Sequence, residues 1–197
     1  MARWQPDAPG RLAAAALDLF EERGYENTTV IEIAERAGLT KSTFFRYFPD
    51  KREVLFGRGA MTGVLVEGIT SAPPEAGPLD AVAGGLDALG RTFFTDDRRA
   101  FSGRREAVLN ANTELREREA LKRIGLTASM VEALNRRGAP DLTARVTATL
   151  GALAWEVAYD QWIGTDGGEG FGPLARQALA EVRAVAVHVT NLSERHT

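Results

Sequence analysis

Cysteine is absent from the 197 residues, and histidine occurs only twice, as His188 and His196. Without thiols there is no disulfide framework, no thiolate zinc site and no cysteine nucleophile. With both imidazoles near one end, neither a histidine-rich metal site nor a histidine-based catalytic triad can be assembled from the rest of the chain. No uninterrupted apolar run reaches membrane-spanning length, and Met1–Arg11 lacks the signature of a secretory signal. The default expectation is therefore a cytoplasmic protein. Alternating β-branched and polar residues are also missing, so strands are not expected and the chain reads as all-α. Lysine is scarce, with 3 against 21 arginines, a bias of genome composition more than of function.

At this length roughly 70% of the unfolded surface can be buried. Apolar residues recur at helical spacing almost throughout. The first helix is expected over Ala8–Arg23, with Leu12, Ala16, Leu19 and Phe20 on one face and Gly24 as its left-handed stop. Thr29 and Glu32 form a capping box that opens a short helix to Ala37. Gly38 ends it, Thr40 caps a third helix to Phe48, and Pro49 follows. Asp50 to Glu53 reads as a second capping box, opening a longer helix to Ile69. The run Ser71–Pro78, with three prolines, is the clearest breaker. Beyond it, helices are expected over Leu79–Thr95, Asp97–Asn110, Thr113–Arg137, Asp141–Ile163 and Gly172–Ser193, about nine in all.

Residues Thr29–Lys51 have the layout of a helix-turn-helix, two short helices joined by a tight turn at Gly38. Ile33, Ala34, Ala37, Leu39, Phe44 and Phe48 can pack on the first helix. That leaves Lys41, Ser42, Thr43, Phe45, Arg46 and Tyr47 as outward candidates. Hydroxyls and cations suit base edges and phosphates, and an aromatic ring suits a thymine methyl. From Arg36 to Arg52 the net charge is +4, whereas the whole chain is −3. A local basic patch on an acidic chain is an electrostatic footprint for phosphate. Thr29 and Lys51, each at an expected helix start, and the Tyr47 hydroxyl add phosphate candidates. Arg3, Trp4 and Arg11 are candidates for an arm reaching DNA, against the ordinary alternative of a frayed chain start.

The run LFEERGYENTTVIEIAERAGLTKSTFFRYFPDKREVL resembles the DNA-binding domain of the tetracycline-repressor (TetR) family of transcriptional regulators, over about Pro6–Val66. The resemblance rests on Phe20 to Gly24, Thr28-Thr29, Ile33-Ala34, Ala37-Gly38, Phe44, Tyr47-Phe48 and Lys51. It implies a domain 6–66 that binds DNA, and a domain 67–197 that binds an effector and dimerises. By matching position, Thr29, Tyr47 and Lys51 are implied phosphate contacts. Lys41, Ser42, Thr43, Phe45 and Arg46 are implied to lie near bases. Ile31 departs from members that place a polar base-reader there, so little base readout is expected from the first short helix. The implied partners are a double-stranded operator, a second copy of the chain and a small-molecule effector, with no membrane and no cofactor. More weakly, AVLNANTELREREALKRI and LGALAWEVAYDQWI resemble actinobacterial-type members, one type of which accompanies mycofactocin clusters and responds to long-chain acyl-CoA.

Two stripes suit a dimer through the last two helices: Leu142, Val146, Leu150, Leu153 and Val157, and Ala178, Val182, Val185, Val189 and Leu192. Aromatic and soft side chains concentrate in the C-terminal half. Phe94, Phe101, Met130, Trp155 and Tyr159, with Phe93 and Trp162, are candidates to line an effector pocket. Arg104 and Arg105 are candidates for an anionic head group. Glu114/Arg118, Glu119/Arg123 and Glu132/Arg136 read as i,i+4 pairs on a solvated face. Glycines at 57, 59, 63 and 68 interrupt the fourth helix, which is the segment expected to reorder when effector binds. The expected function is a one-component repressor released by an apolar or amphipathic effector. The competing reading is a ligandless helical regulator or adaptor acting through protein partners. No catalytic residues, metal ligands or enzyme activity are expected, since no carboxylate pair joins a histidine or cysteine and no glycine-rich phosphate loop is present.

Overall fold

The computed structural model describes residues 7–57, 59–164 and 168–194, with the side chains of 186–194 left out of account. Among the described residues there are nine α-helices and no strand: α1 (Ala8–Arg23), α2 (Val30–Arg36), α3 (Lys41–Tyr47), α4 (Ala60–Thr70), α5 (Pro78–Thr92), α6 (Asp96–Asn110), α7 (Thr113–Arg136), α8 (Asp141–Gly164) and α9 (Phe171–Glu194). A single 3-10 turn, Arg52–Leu55, lies between α3 and α4.

The long helix expected from Asp50 to Ile69 is thus two elements. Gly57 and Gly59 take φ of 65° and 77°, in the left-handed region that no helix continues through. Half of the second capping box forms, with Glu53 N donating to Asp50 Oδ1 at 3.1 Å. The Glu53 carboxylate also accepts from Arg118 Nε of α7 at 2.5 Å.

The chain divides into two compact units. One joins the described residues up to Ala60 to Phe101–Leu121, and the other joins Met61–Ala100 to the described residues from Lys122 onward. The first therefore includes a segment distant in sequence from its helix-turn-helix. Its core gathers Leu12, Ala16, Leu19 and Phe20 from α1, Ile33 and Ala34 from α2, and Phe44 from α3, with Leu109 and Leu115 added from α6 and α7.

In the second unit α5, α8 and α9 pack together, closed by Leu65 and Ile69 of α4 and Leu126, Met130 and Leu134 of α7. Helix α8 buries small residues, Ala144, Ala148, Gly151, Ala154 and Ala158. A Cβ on Gly151 would stand 2.6 Å from Val82 Cγ1, so only hydrogen fits at that crossing. Tyr159 and Trp162 near the end of α8 are buried as well, whereas Leu142, Val146 and Leu153 face outward, 74%, 49% and 48% exposed. No described helix is long and apolar enough to cross a membrane.

Candidate nucleic-acid interface

The capping box at the start of α2 forms as its sequence predicts. Glu32 N donates to Thr29 Oγ1 at 3.2 Å, and Thr29 N and Oγ1 donate to Glu32 Oε2 at 2.9 and 2.8 Å. These hydrogen bonds from Thr29, with Arg23 adding attraction, hold the Glu32 carboxyl below its ordinary value of 4.5. Ala37 caps the C-terminus of α2, after which Gly38 adopts φ 64° and Leu39 N closes onto Ala34 O at 2.8 Å. The Arg11 guanidinium donates to Ala37 O and so holds this turn from α1. Arg11 is a turn support, a role its position in the sequence does not announce. Arg3 and Trp4 lie outside the described residues.

Thr40 caps α3 by accepting from Thr43 N at 3.1 Å, with a hydroxyl contact to Thr43 Oγ1 at 3.0 Å. Phe44 is fully buried and Phe48 nearly so, which fixes the rotation of α3 about its axis. Lys41, Ser42, Phe45 and Arg46 consequently face solvent, while Thr43 and Tyr47 are half-buried. The Phe45 ring stands edge-on to Phe44, 5.5 Å between centroids at 81°. The Arg46 guanidinium lies over the Tyr47 ring at 5.0 Å and donates weakly to its hydroxyl at 3.4 Å. The exposed large apolar residues on α2 and α3 are Ile31 and Phe45, each 46% exposed.

The five cations between Arg36 and Arg52 have different surroundings. Arg36 makes a two-pronged pair with Glu22 at 2.9 and 2.8 Å, which holds the Glu22 carboxyl below its ordinary value. Arg52 pairs with Asp50 at 2.8 Å and Glu114 at 3.4 Å. Lys51 Nζ donates to Tyr25 O at 2.7 Å and Thr28 O at 3.0 Å, and lies 4.0 Å from the centre of the Tyr25 ring. Burial foremost, with Glu114 adding, pushes the Tyr25 phenol well above its usual range and keeps it neutral. Among the described residues, Lys41 and Arg46 meet no carboxylate within ion-pair distance. The basic character of the segment is therefore concentrated on the exposed side of α3.

Of the residues expected to line an effector pocket, Phe94, Trp155 and Tyr159 come together in the second unit with Trp162 and Phe171. Ring centroids lie 6.2, 5.6, 5.5 and 4.4 Å from that of Phe94. Met130 is buried in the same core. Phe101 is not with them, since it packs against the core of the first unit. Trp162 is fully buried, and its Nε1–H has no hydrogen-bond partner. Arg99, which sequence reasoning missed, lies over the Trp162 ring at 5.3 Å and donates to Trp162 O at 2.8 Å. Arg104 and Arg105 are engaged inside the first unit. Arg104 pairs with Asp18 and Glu21, and Arg105 donates to Leu55 O at 2.8 Å and to Glu119. No group of ligating side chains that could hold a metal occurs among the described residues.

The sequence pattern of the "Bacterial regulatory proteins, tetR family" matches residues 12–57, the stretch that carries this surface. Residues 12–57 are thus similar to the DNA-binding region of the TetR family. Among curated relatives it is 40% identical over 83 residues to the HTH-type transcriptional regulator TcmR of Streptomyces glaucescens, covering 41% of this chain and 37% of that one. It is 39% identical over 46 residues to the regulator HbdR of Aromatoleum, covering 23% and 20%. The chain thus spans well under two thirds of these relatives. Similar folds run further: NalD of Pseudomonas aeruginosa, 20% identical, has a TM-score of 0.54 over 89% of this chain and 93% of its own. FadR of Thermus thermophilus, 22% identical, has 0.50 over 88% and 92%. The TetR fold, an N-terminal helix-turn-helix followed by a helical C-terminal region, therefore accounts for the chain.

Proposed function

We propose that this chain is a one-component transcriptional regulator, a repressor that binds a palindromic operator as a homodimer and releases it when a small apolar or amphipathic molecule binds the C-terminal region. The observation that carries this is the division of α3 into a buried Phe44 side and an exposed side with Lys41, Ser42, Phe45 and Arg46. Lys41 and Arg46 supply salt-dependent affinity for phosphate, with Thr29, Tyr47 and Lys51 as further phosphate candidates. Ser42, Thr43 and Phe45 supply sequence choice. Lys51 also ties the Tyr25–Thr28 turn to the residues after α3, so part of its effect on binding would be to position Thr29.

Dimerisation through α8 and α9 is supported by the outward Leu142, Val146 and Leu153, together with Val185 at 63% exposure. Val189, Leu192 and His188 lie outside the described side chains. Effector binding is supported by the aromatic group around Phe94 and by the relatives. NalD is described as the secondary repressor of a multidrug efflux pump, and the Thermus FadR structure holds lauroyl-CoA. A hundredfold loss of operator affinity requires effector to prefer the DNA-incompetent state by roughly 2.7 kcal/mol. Such a protein acts where the chromosome is, in the cytoplasm.

Selection of duplexes from a random library by the full chain tests the proposal. The expected product is an inverted repeat with half-sites about 34 Å apart or a multiple of that. Arg46→Ala should weaken all duplexes and reduce the salt slope by about 1, whereas Thr43→Ala should relax choice at one base step. Failure to enrich any duplex, with capture of a protein partner in its place, would replace the regulator by the adaptor.

A further inference from the structure

We infer that Ile31 of α2 and Phe45 of α3 form an apolar reading pair that recognises thymine methyl groups, so the first short helix reads sequence after all. The inference rests on the DNA-binding proposal and adds to it the chemistry of the target and a residue expected to be silent.

Both side chains are 46% exposed on the two helices of the helix-turn-helix, while Ile33, Ala34 and Phe44 of the same helices are buried in the core. Both are also stiff. A β-branched side chain in a helix has essentially one χ1 rotamer, and Phe45 stands edge-on to the fully buried Phe44. Stiff side chains lose little entropy on contact, which suits recognition by shape.

Duplex DNA is the occupant that fits. Lys41, one turn before Phe45, and Arg46, next to it, are exposed cations without a carboxylate partner, so the apolar ring sits within positive charge. Glu35 occupies the exposed face of α2 one turn after Ile31. A carboxylate cannot neutralise phosphate, so what α2 contributes there is apolar or directed at base edges. In the major groove the apolar group on offer is the C5 methyl of thymine.

The experiment takes the duplex selected by the full chain and replaces each thymine in turn with deoxyuridine, which removes one methyl and leaves base pairing unchanged. Binding is measured for the wild-type chain and for Ile31→Ala and Phe45→Ala, with Ile31→Val and Phe45→Leu as milder variants and a urea transition as the folding control. Wild type should lose about fourfold at two or more positions of each half-site, the worth of one methyl taken out of water. Ile31→Ala should abolish that sensitivity at one position and Phe45→Ala at another. Indifference of the wild type to deoxyuridine, selected half-sites without thymine, or undiminished sensitivity in the alanine variants would overturn the pair while leaving DNA binding intact. If no duplex is enriched, both proposals fall together.

Discussion

Gly38 is the residue on which the angle between α2 and α3 depends. At φ 64° any other L-residue is strained, and a Cβ there would stand 3.0 Å from the Arg11 guanidinium that holds Ala37 O. Gly38→Ala should therefore cost roughly 1–2 kcal/mol, read as a lower urea midpoint. Glu32 gives a second prediction at this scale, in pH. Its carboxyl is held below 4.5 by hydrogen bonds from Thr29, so it favours the folded state above that value. This contribution is lost as pH falls through 4.5 and below. Glu32→Gln keeps an oxygen for the Thr29 N–H but cannot titrate, so urea midpoints between about pH 6 and pH 3 should fall less steeply than in wild type. The cap, the turn glycine and the inward phenylalanines were legible because each acts within a few residues of itself. Arg11 was not, since its partner lies 26 residues away and only the folded chain brings them together.

At the scale of elements, the glycines of α4 and α5 divide by what surrounds them. A Cβ at Gly63 would meet nothing within 4 Å, whereas one at Gly68 would lie 2.7 Å from Gly85 Cα. One at Gly85 would lie 2.8 Å from Leu65 Cδ1 and 2.9 Å from Leu65 O. Gly63→Ala should therefore raise stability by about 0.5–1 kcal/mol, through helix propensity alone. Gly85→Ala should lower it by roughly 1–3 kcal/mol, because backbone cannot yield to an added methyl. Thermal unfolding of the two variants should move in opposite directions. Sequence alone cannot tell the two glycines apart, because the difference lies in a neighbouring helix. Two arginines of α7 reach acids on other elements, Arg118 meeting Glu53 and Arg123 meeting Glu156 at 3.4 Å, contacts that helical spacing alone does not announce.

At the scale of the molecule, the inverted character of α8 yields the prediction about assembly. Ala144, Ala148, Ala154 and Ala158 are buried while Leu142, Val146 and Leu153 are outside, with Leu150 and Val157 half-buried, so the helix leaves apolar surface exposed, which the proposed dimer would cover. Val146→Glu with Leu153→Glu should convert a dimer into a monomer in sedimentation while the thermal transition of the chain persists. Weakened operator binding should accompany the change, since two linked half-sites bind far more tightly than one. The all-helical class and the helix-turn-helix layout were legible because caps, turn glycine and helical spacing are local signals. The C-terminal half was less so. Aromatic residues that line a cavity and those that fill a core share one pattern, and Phe101, grouped by sequence with Phe94, belongs to the other unit.

The support of the helix-turn-helix and its exposed face use separate residues. Arg11, Thr28, Phe44 and Lys51 hold the turn and the rod, and Lys41, Ser42, Phe45 and Arg46 touch none of those tethers through a side-chain hydrogen bond. Under the proposed function, drift at these four positions after gene duplication would redirect a copy to new promoters with the hydrogen-bonded tethers unchanged. Laboratory retargeting could begin with randomisation of the same quartet.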